Sequence, residues 1–407
     1  MSPRKKNPTP PPSTGYSDAA KTAVQETTQR VQEMHAAIAG QSFAILQKIP
    51  LFSAPAHLVK SAHDAIAAGV YAAIQHGAGG LLGAASLLEK QTAGFSANAP
   101  PGRLASGLRS ALNGAFGDHF AASNNRLAIN MAIQVNGAPL ELDAEVLRDA
   151  FPQAGQRLCV FIHGLSCDEH SWAAEPPAAR KGGRSDIDFG RQLHAEFACT
   201  ALYLRYNSGR PISENAAQLA ALLEELIAAW PQPDAELLII GHSMGGLLAL
   251  GACKQAAAAE MAWPQSLRML ICLGSPHLGS PVERLGHLAT SALHLSKTTA
   301  PLGRIAAARS QGIKDLRHGS GVPRQPAKQH HVAFRFLGGS LAEDIDHPFG
   351  DLLGDGLVTL GSATSHAIEG DVQSARLGKL GHMDLLHDAR VYSQIREWIK
   401  DIAAEQR

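Results

Sequence analysis

Leu237-Leu238-Ile239-Ile240-Gly241-His242-Ser243-Met244-Gly245-Gly246 is the stretch whose reading decides the fold. Four apolar residues in a row suit a strand buried on both faces. A helix-compatible segment, Leu247 to Ala256, starts directly after the glycines. Between the two lies Gly-x-Ser-x-Gly in the strand–turn–helix context of a nucleophile elbow, where a tight turn pushes the Ser243 hydroxyl out at the carboxyl end of a sheet. So sharp a turn needs small neighbours and a strained serine backbone. The alternative reading is a glycine-rich turn with a capping serine.

A nucleophilic Ser243 requires an oxyanion hole upstream, then an acid and a histidine downstream in that order. Upstream, Cys159-Val160-Phe161-Ile162-His163-Gly164-Leu165 is a second buried-strand run closing on His-Gly. It would offer the Leu165 amide, and the Met244 amide would be the second donor. His163 reads as a prop for the turn rather than a proton carrier. Downstream, Asp355 lies between two glycines after a predicted strand at Val332–Leu337, with Asp344, Asp346 and Asp351 as competitors in the same stretch. The histidine is sought in Gly381-His382-Met383-Asp384. With 19 histidines in the chain, presence alone decides little. His382 follows a glycine and precedes the last helix, which favours it over His387, expected in a capping or surface role.

Working outward, the other strands fall near residues 158–162, 200–205, 268–273 and 332–337, with a weaker one near 372–378. Leu127 to Leu142 reads as a hairpin turning at Asn136-Gly137. Leu219, Leu222, Leu223, Leu226 and Trp230 make one helical apolar stripe. Val391, Ile395, Trp398, Ile399 and Ile402 make another. The alternation predicts a mostly parallel sheet covered on both faces, with its site at the carboxyl ends of the strands.

The 407 residues leave room for more than this domain. Residues 1–18, rich in Pro and polar side chains, read as a disordered tail, and residues 19–122 as an Ala-rich helical segment. Residues 123–407 form the catalytic domain. Every candidate group lies beyond residue 160, so the segment before residue 123 is expected to be dispensable for chemistry. Ala65 to Leu88 carries no formal charge but is diluted by five glycines. Buried or amphipathic helices are expected there ahead of a spanning helix, with peripheral membrane contact left open. An apolar excursion at about 280–321, with Leu285 and Leu288, is expected to form a cap or lid lining an acyl pocket, the alternative being a helical decoration away from the site.

Thirty-six basic residues balance thirty-six acidic ones, so nothing in the overall charge favours nucleic acid. Residues 1–20 show no apolar core of a secretion signal, and five scattered cysteines read as free thiols without metal-ligand spacing. A cytoplasmic protein is the resulting expectation, with peripheral attachment to the inner membrane face left open.

With these motifs together, the chain resembles serine hydrolases of the α/β-hydrolase superfamily. It is most similar to bacterial triacylglycerol lipases and the GPI inositol-deacylase-like branch. The resemblance covers roughly residues 125–405 and rests on five motifs in order: His163-Gly164-Leu165, the elbow, Ser275-Pro276-His277-Leu278-Gly279-Ser280, Asp355-Gly356-Leu357-Val358 and His382-Met383-Asp384. It implies a fold of mostly parallel sheet with helices on both faces and a helical cap. It also implies a Ser243–His382–Asp355 triad acting on lipid-like acyl esters without a cofactor; the structural calcium of some secreted lipases is not carried over, because no signal peptide is visible here, and no metal is expected. Thioesterase, polyester depolymerase and acyltransferase use the same apparatus. A non-catalytic partner- or membrane-binding protein on the same fold is the reading of another class. His277 is expected to stabilise its loop.

Overall fold

The computed structural model describes residues 103–125, 127–173, 187–279, 310–316, 331–345, 348–365, 368 and 370–405. The expected tail, the stretch from Ala65 to Leu88, Asp346, and nearly all of the 280–321 excursion, with Leu285 and Leu288, lie outside the described residues. By its contacts the chain divides between Ala99 and Pro100, and everything described belongs to the second unit. Among the described residues, no helix is long and apolar enough to cross a membrane.

The order is α1 (Arg103–Ala122), β1 (Ala132–Val135), β2 (Ala138–Pro139), α2 (Ala144–Ala150), β3 (Arg157–Ile162), α3 (Phe189–Phe197), β4 (Thr200–Arg205), α4 (Ile212–Ala229) and β5 (Glu236–His242). There follow α5 (Met244–Ala258), β6 (Leu267–Leu273), α6 (Gln311–Asp315), β7 (Ala333–Ser340), α7 (Pro348–Leu353), α8 (Leu360–Thr364), β8 (Val372–Gly378) and α9 (Ala389–Glu405). Eight strands form one sheet in the order β2-β1-β4-β3-β5-β6-β7-β8. All pairs from β4 to β8 are parallel, and only the β1–β2 hairpin and its junction with β4 run antiparallel.

Parallel strands wrapped by helices are buried on both faces, which is why they read as unbroken apolar runs rather than alternations. Leu158, Val160, Ile162, Leu237 and Ile239 join a core on one face with Leu219 and Leu223 of α4 and Leu247 and Leu248 of α5. Cys159, Phe161, Leu238 and Ile240 face the other way, onto Phe189 and Leu193 of α3 and Val391, Ile395 and Trp398 of α9. Both apolar stripes read from the sequence are thus core faces. The weak strand is complete: β8 pairs with β7 over seven positions, from Phe334↔Val372 to Ser340↔Gly378.

Two boundaries move. The hairpin turns at Asn136 and Gly137, both at positive φ (52° and 79°), but its first strand starts only at Ala132. The carbonyls of Leu127 and Ala128, expected in that strand, are taken instead by Arg109 and Asn113 of α1. The same contacts correct the boundary drawn at residues 122 and 123: α1 is part of the unit that holds the sheet.

Candidate active site

The elbow forms as the motif requires. Ser243 takes φ 54° and ψ −122°, a region that costs an L-residue energy and persists only where its surroundings over-determine it. Its N–H donates to Leu273 O at 2.8 Å, which ties it to the neighbouring strand. The glycines on either side are there for room. A Cβ at Gly241 would come within 2.5 Å of Gly246 N, and one at Gly245 within 2.4 Å of Ile162 O. Strand β3 and helix α5 therefore approach backbone to backbone, directly beneath Ser243.

His382 follows β8, at the start of a 3-10 turn (His382–Leu386). Its Nδ1 lies 2.7 Å from Asp355 Oδ2. The other carboxylate oxygen of Asp355 accepts the N–H groups of Leu357 at 3.0 Å and Val358 at 2.9 Å. Main-chain bonds fix the pair again: His382 N–H to Asp355 O at 3.0 Å, and Asp355 N–H to Val358 O at 3.1 Å. Asp355 is 3% exposed and His382 8%. A buried carboxylate held by three hydrogen bonds across both its oxygens cannot rotate freely, so the imidazole it holds is oriented too.

The remaining groups sort themselves by position. Asp351 lies on α7 against α8 at Gly361, and Asp344 belongs to the loop after β7. Neither is brought to His382. His387 closes the 3-10 turn, its carbonyl accepting from Ile187 N–H at 2.8 Å. His277 packs edge-on against Phe336 with ring centroids 4.9 Å apart, and its N–H bonds to Ser275 O and Ser362 O.

The oxyanion candidates are also placed. A Cβ at Gly164 would sit 3.1 Å from Ser243 Cβ, so the loop after β3 passes directly over Ser243. His163 Nδ1 donates to Gly164 O at 2.8 Å, while its Nε2 accepts Tyr206 N–H at 3.3 Å. The tautomer follows: hydrogen on Nδ1, lone pair on Nε2. Burial pushes the His163 imidazole down to about 4, which keeps it neutral. Because the C=O and N–H of a trans peptide point opposite ways, holding Gly164 O fixes the direction of the Leu165 N–H. Among the described residues, neither Leu165 N–H nor Met244 N–H has an acceptor. Met244 opens α5, where unpaired amides and the helix dipole favour negative charge. Among the described residues, the Ser243 hydroxyl has no hydrogen-bond partner. Such contacts are commonly loose before substrate binds.

One contributor carries no signal in the sequence. His242 occupies the unconstrained position of the motif, yet its Nε2–H donates to His382 O at 3.0 Å and the two rings lie 4.6 Å apart. It joins the elbow to the histidine loop from behind. Burial, and then the neighbouring His382, holds its imidazole well below the ordinary range, so it stays neutral.

Comparison with known proteins gives one family match and a set of fold-level neighbours. Residues 203–298 match the family model of the PGAP1-like alpha/beta domain, a span that includes the elbow. No curated protein matches the chain in sequence. Among solved structures, the mature lipase BlEst2 of Bacillus licheniformis is 17% identical, covering 60% of this chain and 91% of its own at a TM-score of 0.38. Human thioesterase 2 is 14% identical, covering 61% and 96%, with a TM-score of 0.36. The Staphylococcus hyicus lipase is also 14% identical, covering 62% and 97%, with a TM-score of 0.36. With its parallel sheet, its elbow after β5 and its match to the PGAP1-like domain, this chain is a protein of the α/β-hydrolase fold.

Proposed function

We propose that the protein is a serine ester hydrolase of lipase or carboxylesterase type. In this reading His382 Nε2 takes the proton of Ser243 as its oxygen attacks the ester carbonyl. The amides of Leu165 and Met244 receive the developing oxyanion, and His382 returns the proton to the leaving alcohol. Water then repeats the sequence on the acyl-enzyme, releasing the acid and restoring Ser243. Asp355 keeps the His382 proton on Nδ1 and stabilises the imidazolium that forms. The chemistry needs neither metal nor cofactor. The observation that carries the reading is the 2.7 Å bond between His382 and the buried Asp355, with His382 O tied at 3.0 Å to His242, the residue before the strained Ser243. A protein that only binds a partner has no use for that arrangement.

The test is labelling of the full chain by a fluorophosphonate, with turnover of p-nitrophenyl esters from short to long chain. Ser243→Ala is expected to abolish labelling and to lower turnover by about 10⁶. Activity of Ser243→Ala within tenfold of the parent would remove Ser243 from the mechanism. Absence of labelling in the parent would favour a non-catalytic binding protein. A matched panel of thioesters, polyesters and alcohol acceptors separates the thioesterase, depolymerase and acyltransferase alternatives.

A further inference from the structure

The loop that carries the Leu165 amide is not held by the sheet alone. Ser166 has φ 61°, a left-handed conformation for a non-glycine residue, and keeps it only under constraint. Its N–H donates to Ser208 Oγ at 3.0 Å. Its side chain lies against Gly114 of α1, so closely that a Cβ at Gly114 would come within 2.0 Å of Ser166 Oγ and 3.0 Å of Ser166 Cα. Two residues further on, Asp168 caps the 3-10 turn Glu169–Trp172, accepting His170 N–H at 3.0 Å on one oxygen. Its other oxygen accepts the Ser106 hydroxyl of α1 at 2.8 Å, a buried bond.

The helix is itself pinned in register. Asn113 receives Ile129 N–H at 3.0 Å, Asn207 Nδ2 donates to Gly117 O at 2.9 Å, and Ser310 Oγ donates to Gly114 O at 2.5 Å. Gln311 N–H donates to Asp118 Oδ2 at 2.9 Å. Helix α1 thus meets the loop over Ser243 along one polar, glycine-relieved face, and it can neither slide nor turn.

We propose that α1 sets the position of the oxyanion loop, with Ser106 and Gly114 as positioning residues for the reaction at Ser243. The inference rests on the hydrolase reading given above and assigns part of the active-site machinery to a helix outside the motifs that identify the fold. Ser106 and Gly114 touch no reacting atom. They act through Asp168 and Ser166 on the peptide that ends in the Leu165 N–H. Displacing that donor by a few tenths of an ångström weakens its bond to the transition state while leaving the ester's ground-state contacts unchanged.

The experiment compares the full chain with Gly114→Ala, Ser106→Ala and, as a control on the exposed side of the helix, His119→Ala. Each is followed by kcat and KM on p-nitrophenyl butyrate, the second-order rate of fluorophosphonate labelling, and Tm, all below the melting transition. Gly114→Ala and Ser106→Ala are expected to lower kcat by about 10- to 100-fold, less than the 10²–10³ of deleting a donor outright. KM should stay within about twofold and labelling should slow in parallel, a split that packing damage alone does not produce. His119→Ala should match the parent in all three. If Gly114→Ala does not fold, Ser106→Ala decides alone. Parent-like kcat in a folded Ser106→Ala overturns the proposal, as does a loss confined to Tm or to KM. A parent that neither turns over esters nor labels overturns the hydrolase reading, and this inference with it.

Discussion

Replacing Asp355 by Asn tests the site most sharply, because the change is isosteric and its consequence can be worked out atom by atom. Asp355 Oδ1 accepts two main-chain N–H groups, from Leu357 and Val358, and Oδ2 accepts from His382 Nδ1. An amide has one oxygen. Two donors converge on the Oδ1 position, so the oxygen belongs there and the NH2 group turns to His382. A donor now faces Nδ1. The imidazole satisfies it by offering a lone pair at Nδ1 and carrying its proton on Nε2 instead. That nitrogen is the one meant to accept the Ser243 proton, and it no longer can. Loss of the correct tautomer in a serine triad lowers kcat by about 10⁴, equivalent to about 5.4 kcal/mol in the barrier. KM on p-nitrophenyl butyrate should change little, since no contact with the ester is removed, and fluorophosphonate labelling should slow with kcat. Asp351→Asn, on α7 and away from His382, should leave both unchanged. A kcat for Asp355→Asn within tenfold of the parent refutes the reasoning, and so does an equal loss at Asp351.

Glu169→Ala removes one partner of a buried ion pair with Arg205 (side chains 8% and 9% exposed), and leaving that guanidinium uncompensated should cost about 3–5 kcal/mol in urea unfolding at pH 7; a change under about 1 kcal/mol would show the pair to be solvated. Stability should also fall on acidification: His163, held down to about 4 in the fold against an ordinary 6.5, stays neutral while the unfolded chain protonates, so stabilisation complete above pH 6.5 is lost as pH falls toward 4, by roughly 3 kcal/mol. His163→Asn, which keeps a donor for Gly164 O but does not titrate, should flatten that acid limb, and an unaltered pH dependence would exclude His163 as its source. A chain beginning at residue 123 should fail to label with fluorophosphonate, because it strands Asn207 and Asp168, both buried, without the partners α1 supplies; labelling at the full-chain rate would return α1 to the dispensable segment.

Much of this architecture is legible in the sequence because it depends on short-range pattern. The runs at residues 158–162 and 237–240 are apolar at every position, since both faces of those strands are covered. Even the weak strand at 372–378 is where the pattern puts it, although it reads poorly. It lies at the edge of the sheet and alternates exposed with half-buried residues, so most of its side chains need not be apolar. Among the acids, Asp344, Asp351 and Asp355 share one glycine-rich stretch, and local pattern cannot rank them. What distinguishes Asp355 is a turn in which its own carboxylate closes onto Leu357 and Val358, bringing the free oxygen to a histidine 27 positions later. His242 shows the limit from the other side. It sits inside the most readable motif in the chain, yet its bond to His382 O spans 140 positions and leaves no local trace.

Helix α1 reads from the sequence as part of the segment before residue 123, for a reason that lies in its chemistry. Pattern reading takes the polar face of a helix as the solvated one. Here Ser106, Ser110 and Asn113 are buried, while Phe116, the residue that hydrophobicity would send inward, is 46% exposed. The inversion follows from what the helix covers. Its partners are not apolar strands but polar side chains on the turns after β3 and β4, Asp168 and Asn207, and the main chain at Leu127 and Ile129 ahead of β1. Hydroxyls, an amide and glycines serve that surface; leucines would not. The same property ties the helix to the site. A sheet presents its irregular, polar backbone where its strands end, and in a parallel α/β sheet that is also where the chemistry is expected. An element whose polar face bonds Asp168 and Asn207 at those strand ends therefore packs against the loops that would carry the reaction, which makes a buried small-polar helix face evidence of a structural role at a site that the apolar pattern overlooks.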